Sequence, residues 1–133
     1  MTSGCDHNKE KVRLFVEAVL NEGRLDLIDE LVGFDYVGHV PDAEEGVFGP
    51  RGLRRLVASR RDACPNLHVR ILDQVAEDDR VATRWQATSG PRTAGAPVRC
   101  CAGISIVRLL AGKQVDSHTE YTAPLHAHAG GWS

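Results

Sequence analysis

The stretch from Gly103 to Thr122 constrains the fold most, because it predicts two long strands joined by a tight turn at Ala111-Gly112-Lys113. In the second strand, His118, Glu120 and Thr122 are spaced two residues apart. An extended chain therefore points all three side chains in the same direction. Three polar side chains on one face of a strand are either exposed to water or line a polar pocket, and we expect the pocket.

The rest of the chain predicts an α+β fold in which helices precede most of the strands. Three segments carry apolar residues at helical spacing, and Gly23 is suited to end the first of them. Phe34–Val40 has the alternation of a short strand, and the acidic loop Pro41–Gly49 is a candidate lid. Such a sheet would curl around a helix-lined cavity with one open face. Four long strands, joined antiparallel by consecutive hairpins, are predicted over Leu67–Glu77, Arg80–Thr88, Val98–Leu110 and Gln114–Thr122.

The composition is that of one globular domain, with 133 residues of which 42% are hydrophobic and 26% charged. We expect this domain to span residues 1–133, with flexible tails over residues 1–7 and 124–133. The net charge of −2 argues against nucleic acid or a membrane surface as a partner. The sequence has no signal peptide and no apolar run of about 20 residues, which predicts a cytoplasmic protein with no membrane partner.

The four cysteines are predicted to be reduced thiols. Cys100 and Cys101 are adjacent and point to opposite faces of a predicted strand, and no CxxC spacing is present for zinc. Cys64 lies before a proline in a loop, and no neighbouring residue in the sequence activates it as a nucleophile. Reduced thiols agree with a cytosolic protein.

Four segments carry a resemblance to a known family: NKEKVRLFVEAVLNEGRLDLIDELV, HVPDAEEGVFGPRGLRRLV, DDRVATRWQATSG and GISIVRLLAGKQVDSHTEY. In their order and spacing they resemble the SnoaL-like polyketide cyclases of the NTF2-like group, from about Asn8 to Thr122. The resemblance implies a cone-shaped domain, in which three helices wrap a curved antiparallel sheet around an apolar pocket. It also implies a polycyclic or aromatic small-molecule substrate, no cofactor, and a homodimer formed through the outer face of the sheet.

The catalytic aspartate of these cyclases has no counterpart here. Their last strand typically reads GKIVEHW, and the aspartate that acts as acid and base follows it. Gly112-Lys113 matches the start of that motif, His118 occupies the place of the tryptophan, and Thr122 occupies the place of the aspartate. The resemblance therefore leaves Glu120 as the nearest carboxylate on the same face of the strand.

Glu120 is the predicted proton carrier, while His118 and His39 are predicted to orient the substrate or to stabilise a developing oxyanion. An apolar cavity favours the neutral form of a carboxyl group, so that it can shuttle protons near neutral pH. The strand-end position of His39 matches one at which the family often places a polar pocket residue. Contacts with the substrate are predicted for Phe15, Tyr36, Trp85 and Thr122.

The sequence thus predicts a cofactor-independent acid/base enzyme of natural-product biosynthesis that catalyses cyclisation, isomerisation or epoxide opening. One alternative is a non-catalytic ligand-binding or dimerisation module, which the absence of the family aspartate favours. A further alternative is a metal-dependent enzyme, because His39, His118 and Glu120 have the composition of a two-histidine, one-carboxylate metal site.

Overall fold

The structure is a computed structural model that describes residues 4–90 and 98–122, with the side chains of residues 98–100 excepted. It has the predicted α+β architecture, in which three helices cover the concave face of a curved, open, six-stranded sheet. The strands are β1 (Val32–Val40), β2 (Ala43–Phe48), β3 (His68–Glu77), β4 (Arg80–Ser89), β5 (Val98–Leu110) and β6 (Lys113–Thr122).

The helices lie mostly in the N-terminal half of the chain. Helix α1 spans Gly4–Leu14, and the chain continues directly as a π-helical segment over Phe15–Asn21. A 3₁₀ turn at Leu25–Leu27 leads into the short helix α2 (Ile28–Leu31), and α3 spans Gly49–Ala63. None of the helices within residues 4–90 and 98–122 combines the length and the hydropathy that a membrane crossing requires.

Several predicted boundaries are confirmed and others are corrected. Gly23 follows the π-helical segment with a φ of 76°, the left-handed conformation predicted for it. The predicted flexible tail is wrong for residues 4–7, because α1 begins at Gly4, whereas residues 124–133 lie outside the described part of the chain. The predicted lid Pro41–Gly49 is instead mostly β2, which forms a hairpin with β1 around the turn Pro41-Asp42.

The sheet order is β2-β1-β6-β5-β4-β3. Four strands were predicted to pair antiparallel through consecutive hairpins, and β3 to β6 do so. The structure adds a parallel pairing between β1 and β6, in which His39 lies opposite His118. The sheet is therefore mixed, and β6 lies at its centre.

A β-bulge interrupts β6 near its start. Gln114 lies opposite Leu109 on β5, but the next step along β5 brings Arg108 opposite Asp116, so that Val115 is an extra residue. Side chains alternate between faces along a strand, and one extra residue reverses the alternation beyond it. Gln114 and Ser117 consequently face the same, concave side of the sheet.

The core lies between the helices and the concave face. Val19 and Ile28 are completely buried, and they pack with residues of β1, β2 and α3. Full burial of an aliphatic side chain of this size stabilises the fold by about 1.5–3 kcal/mol. This core holds α3 and the π-helical segment against the sheet, and so forms the walls of the interior.

Hydrogen bonds fix the end of the π-helical segment. The Asn21 carboxamide donates to the Val69 carbonyl oxygen at 3.0 Å and accepts from the Val69 amide at 2.7 Å, so it acts as an added partner for β3. The Arg61 guanidinium donates to the carbonyl oxygens of Leu20 and Asn21, which a π-helical end leaves without helical partners. The segment is thereby held between β3 and α3.

The outer face of the sheet carries several exposed apolar side chains. Ile104 and Ile106 on β5 are 49% and 44% exposed, and Val75 on β3 is 67% exposed. Ile106 lies opposite His118, which lies opposite His39. Dimerisation through this face stays a prediction.

Candidate functional site

A cavity of about 380 Å³ lies between the helices and the concave face of the sheet. Its walls are mainly apolar and come from α1, the π-helical segment, α3 and the central strands. Phe15, Leu56 and Val57 line it from the helices, and Trp85 and Val107 line it from the sheet. Cavities of this size and character are typical of small-molecule sites in proteins.

The predicted site residues fall into two groups. Phe15, Tyr36 and Trp85 line the cavity, so the prediction that they contact a substrate has the required geometry. The prediction that His39, His118, Glu120 and Thr122 face the pocket is wrong. All four are exposed, because the bulge at Val115 reverses the alternation of β6 and the parallel pairing places His39 beside His118.

The two histidines stack on the outer face. Their rings lie 4.3 Å apart between centroids and are inclined by 14°. Such a stack places the ring faces, and not the nitrogen lone pairs, toward each other. In the part of the chain that the structure describes, no group of three or more histidine, cysteine, aspartate or glutamate side chains is arranged to hold a metal ion. The geometry therefore gives the metal alternative with His39, His118 and Glu120 no support.

Neutral polar side chains of β6 face the cavity in pairs with other strands. Ser117 and Tyr36 are hydrogen-bonded through their hydroxyl groups at 2.7 Å, and burial raises the pKa of the Tyr36 phenol. Thr119 and Ser105 are hydrogen-bonded at 2.9 Å, and the Ser105 hydroxyl also accepts from the Trp85 indole nitrogen at 3.0 Å. These bonds hold Tyr36 and Trp85 in fixed orientations on the cavity wall.

Arg60 and Tyr121 line the cavity and form an ionic cluster with Asp42, which is more exposed and lies outside the lining; we call these three residues the mouth triad. Arg60 donates through Nη2 to Asp42 Oδ1 at 2.7 Å and to the Tyr121 hydroxyl at 2.8 Å. The Tyr121 hydroxyl donates to the same Asp42 oxygen at 2.6 Å. The guanidinium carbon also lies 5.5 Å from the centroid of the Tyr121 ring, within reach of a cation–π interaction.

Each member of the mouth triad changes the ionisation of its neighbours. The hydrogen bond from Arg60, and then that from Tyr121, lower the pKa of Asp42, which keeps this carboxyl group ionised at neutral pH. Burial, and then the hydrogen bond to Asp42, raise the pKa of the Tyr121 phenol to about 12. At neutral pH the triad thus holds one carboxylate, one guanidinium and one neutral phenol.

We expect the free energy of unfolding to fall as the pH rises from about 10 through about 12, because unfolded tyrosine ionises near 10. In that range the native phenol retains a proton that the unfolded chain has lost, so alkali favours the unfolded state. Denaturant unfolding at increasing pH measures the effect, and Tyr121→Phe should make the fall smaller. If the tyrosinate absorbance of both tyrosines in the folded protein appeared around the pKa of an unfolded tyrosine, about 10, the expectation would be contradicted.

None of the three members of the mouth triad was among the predicted site residues. Arg60 follows Leu53, Leu56 and Val57 at helical spacing, and that spacing was the signal that it faces the cavity. Asp42 lies in the two-residue turn between β1 and β2, and no sequence pattern marks it. Tyr121 faces the cavity because of the bulge in β6.

Among the described side chains, two thiols also line the cavity, Cys64 at the end of α3 and Cys101 on β5. Both are free, as is Cys5. Burial raises the pKa of the Cys101 thiol, so it is protonated at neutral pH and a poor nucleophile. We assign these two side chains to the apolar wall.

The comparison with protein families agrees with this architecture, since the model of the SnoaL-like polyketide cyclases matches residues 10–118. The chain belongs to the SnoaL-like polyketide cyclase family. This SnoaL-like chain is 25% identical to a loop-truncation variant of IdmH, a protein of Streptomyces antibioticus, with a TM-score of 0.73 over 86% of this chain and 91% of that one. No protein of curated function matches the sequence significantly.

Two further solved structures share the fold of this SnoaL-like protein. Bal32a, from a soil-derived mobile gene cassette, superposes with a TM-score of 0.77 at 18% identity, over 98% of this chain and 100% of that one. An LEH-like epoxide hydrolase of M. tuberculosis superposes with a TM-score of 0.71 at 18% identity, over 90% of this chain and 86% of that one.

Proposed function

We propose that this SnoaL-like protein is a cyclase or isomerase, which binds a largely apolar polyketide-like ketone and removes a proton from the carbon beside the carbonyl group. The observation that carries the proposal is the mouth triad, because Arg60 lines the apolar cavity and binds the Asp42 carboxylate, which lies just outside the lining. A base for carbon acids and a cation for the resulting enolate are the two groups that such chemistry needs.

Asp42 is the proposed proton acceptor. Its carboxylate takes the proton from the substrate carbon, and the electrons of the broken C–H bond move onto the carbonyl oxygen as an enolate. For cyclisation, the enolate carbon attacks a second carbonyl group of the same molecule, and the new alkoxide recovers the proton from Asp42. For isomerisation, the proton returns to a different carbon, so both reactions leave the side chain unchanged.

Arg60 is the proposed oxyanion partner. During proton removal one negative charge moves from Asp42 to the substrate oxygen, and a guanidinium with several N–H donors can stabilise both positions. The hydrogen bond from Arg60 lowers the pKa of Asp42 and so weakens it as a base. As negative charge develops on the substrate oxygen, the Arg60 guanidinium can donate to that oxygen instead. Tyr121 holds Asp42 through its own hydrogen bond and adds a ring beside the cation.

The cavity walls set the kind of substrate. Trp85 is held by its hydrogen bond to Ser105 and gives a flat apolar surface, and Phe15 lines the opposite, helical side. A planar ring system is the shape that such walls contact best.

Epoxide opening is less favoured, because it needs an acid and an activated water, whereas the mouth triad has a single carboxylate that is ionised.

The test is turnover of a panel of aromatic polyketone esters by the wild type and by Arg60→Gln. We expect the substitution to lower the rate constant of the turned-over substrate by about 10²–10³-fold, the usual effect of removing one oxyanion donor. Arg60→Lys keeps the charge but not the fork of donors, and should retain part of the rate.

Arg55→Gln is the matched control, since Arg55 lies on the same helix with its side chain exposed to solvent. It should turn over like the wild type. An Arg60→Gln variant that is folded and as fast as the wild type would refute the proposed role of the mouth triad.

A non-catalytic ligand-binding protein is the second candidate. One observation favours it: among the described residues, the cavity lining contains no carboxylate and no imidazole side chain. Saturable binding of aromatic ligands, with no conversion of any compound in the panel during long incubation, would support this candidate over the enzyme.

A further inference from the structure

Gln114 is a buried polar residue that the mouth triad does not use. Its side chain lines the cavity, and the residue is only 4% exposed. Within residues 4–90 and 98–122, the structure shows no hydrogen bond of the Gln114 carboxamide, whose nitrogen and oxygen are not fully enclosed but open onto the cavity, whereas the inward-facing hydroxyl groups of Ser117, Thr119 and Tyr121 are all hydrogen-bonded. A carboxamide has two donor hydrogens and an acceptor oxygen, and buried groups of this kind are nearly always paired.

The position of Gln114 makes it the polar group at the deep end of the cavity. It follows the β5–β6 turn by one residue, beside Leu109 on one side and Val32 on the other. Tyr121 lies at the far end of the same strand, about 20 Å away along the chain at the usual rise per residue. Between these ends, the inward-facing hydroxyl groups of β6 are already hydrogen-bonded to side chains of the neighbouring strands, Ser117 to Tyr36 on β1 and Thr119 to Ser105 on β5.

We propose that Gln114 binds a hydroxyl group of the substrate at the end remote from the reacting carbonyl. A phenolic or enolic hydroxyl both donates and accepts one hydrogen bond, which matches the acceptor and the donors of a carboxamide. The proposal rests on the proposed function for the other end of the substrate, which the mouth triad holds. The substrate class is thereby narrowed to planar ring systems with oxygen substituents at both ends.

Other terminal groups fit the deep end less well. A hydrocarbon end would remove water from the carboxamide without replacing its hydrogen bonds, and this uncompensated desolvation cost would weaken binding. A carboxylate would bring a negative charge into an apolar region, because the cation of the cavity lining is Arg60 at the mouth. A neutral hydroxyl group has neither of these costs.

The test compares two rod-shaped probes, 4-hydroxy-p-terphenyl with one terminal hydroxyl and 4,4″-dihydroxy-p-terphenyl with two, because three rings in line are needed to reach from Gln114 to the mouth triad. Their affinities are measured by titration calorimetry on the wild type and on Gln114→Leu. We expect the wild type to bind the diol about tenfold more tightly than the single phenol, the effect of one good buried hydrogen bond. In Gln114→Leu this preference should disappear, while the affinity for 4-hydroxy-p-terphenyl changes by at most about twofold, because it keeps its contact at the mouth.

Replacement of an unpaired buried amide by an apolar side chain of similar size is not expected to unfold the protein. Gln114→Met provides a second apolar variant, and Gln86→Leu, on β4 and outside the cavity lining, is the matched control that should keep the preference. The proposal is overturned if Gln114→Leu keeps the diol preference, if it weakens both probes equally, or if neither probe binds the wild type.

This experiment is independent of turnover. If Gln114→Leu loses the diol preference while Arg60→Gln turns over normally, the deep hydroxyl site stands and the proposed chemistry fails. If Arg60→Gln is slow and the diol preference is insensitive to Gln114, the chemistry stands and the deep hydroxyl site fails.

Discussion

Replacement of Asp42 by asparagine is expected to lower turnover by about 10²–10⁴-fold, the contribution that a positioned general base makes. Asparagine has nearly the same shape and can still accept a hydrogen bond from Arg60, so the arrangement of the mouth should survive. It cannot take up a proton at neutral pH. The loss should therefore appear in kcat, with the affinity for apolar ligands of the cavity nearly unchanged.

Glu120→Gln is the matched control, because it makes the same chemical change on the outer face of the sheet. Glu120 is exposed and does not belong to the cavity lining. We expect this variant to retain wild-type turnover. If Glu120→Gln were inactive and Asp42→Asn active, the assignment of the proton acceptor would be wrong, and the face of β6 that carries Glu120 would have to reach the substrate.

Insertion of one alanine between Ser117 and His118 is expected to lower the free energy of unfolding by more than about 4 kcal/mol, a large part of the 5–15 kcal/mol that stabilises a typical domain. Strict alternation beyond the inserted residue would turn His118 and Glu120 into the apolar cavity. It would also turn Thr119 and Tyr121 outward and break their hydrogen bonds. Burial of ionisable groups without partners is among the most costly changes in a core.

Deletion of Val115 is the control for this insertion, because it removes the bulge and leaves Gln114 and Ser117 two residues apart on the same face of β6. We expect it to cost less than the insertion, because Thr119 and Tyr121 then keep their hydrogen bonds. Thermal and denaturant unfolding followed by circular dichroism measure both variants. An insertion variant that unfolds like the wild type would mean that β6 absorbs the inserted residue in a second bulge.

The same bulge explains how far the sequence could be interpreted. Alternation predicted correctly that His118, Glu120 and Thr122 share one face, and the hairpins of β3 to β6 were predicted within a few residues. Which face is buried depends on one unpaired residue, and a bulge at Val115 leaves no mark in the pattern of apolar and polar residues. The predicted catalytic residues were therefore placed on the wrong side of the sheet.

The site residues that were missed have a different physical reason. Arg60 follows the apolar stripe of α3 at helical spacing, but a cation near the end of a helix is usually interpreted as solvated. The structure shows it half-buried, where Asp42 and Tyr121 supply its hydrogen bonds. That partnership joins a turn, a helix and a strand that are distant in sequence, and single-sequence patterns describe only neighbours along the chain.

The central position of β6 has a consequence for the order in which the molecule assembles. The β1–β2 hairpin reaches β5 only through β6, although about 70 residues separate the end of β1 from the start of β6 in the chain. Contacts of such long range close slowly, since a large loop must be ordered before they form. During synthesis, the β1–β2 hairpin therefore keeps one unpaired edge, that of β1, until β6 has been synthesised. That edge is the surface on which a nascent chain of this protein is most exposed to wrong pairing.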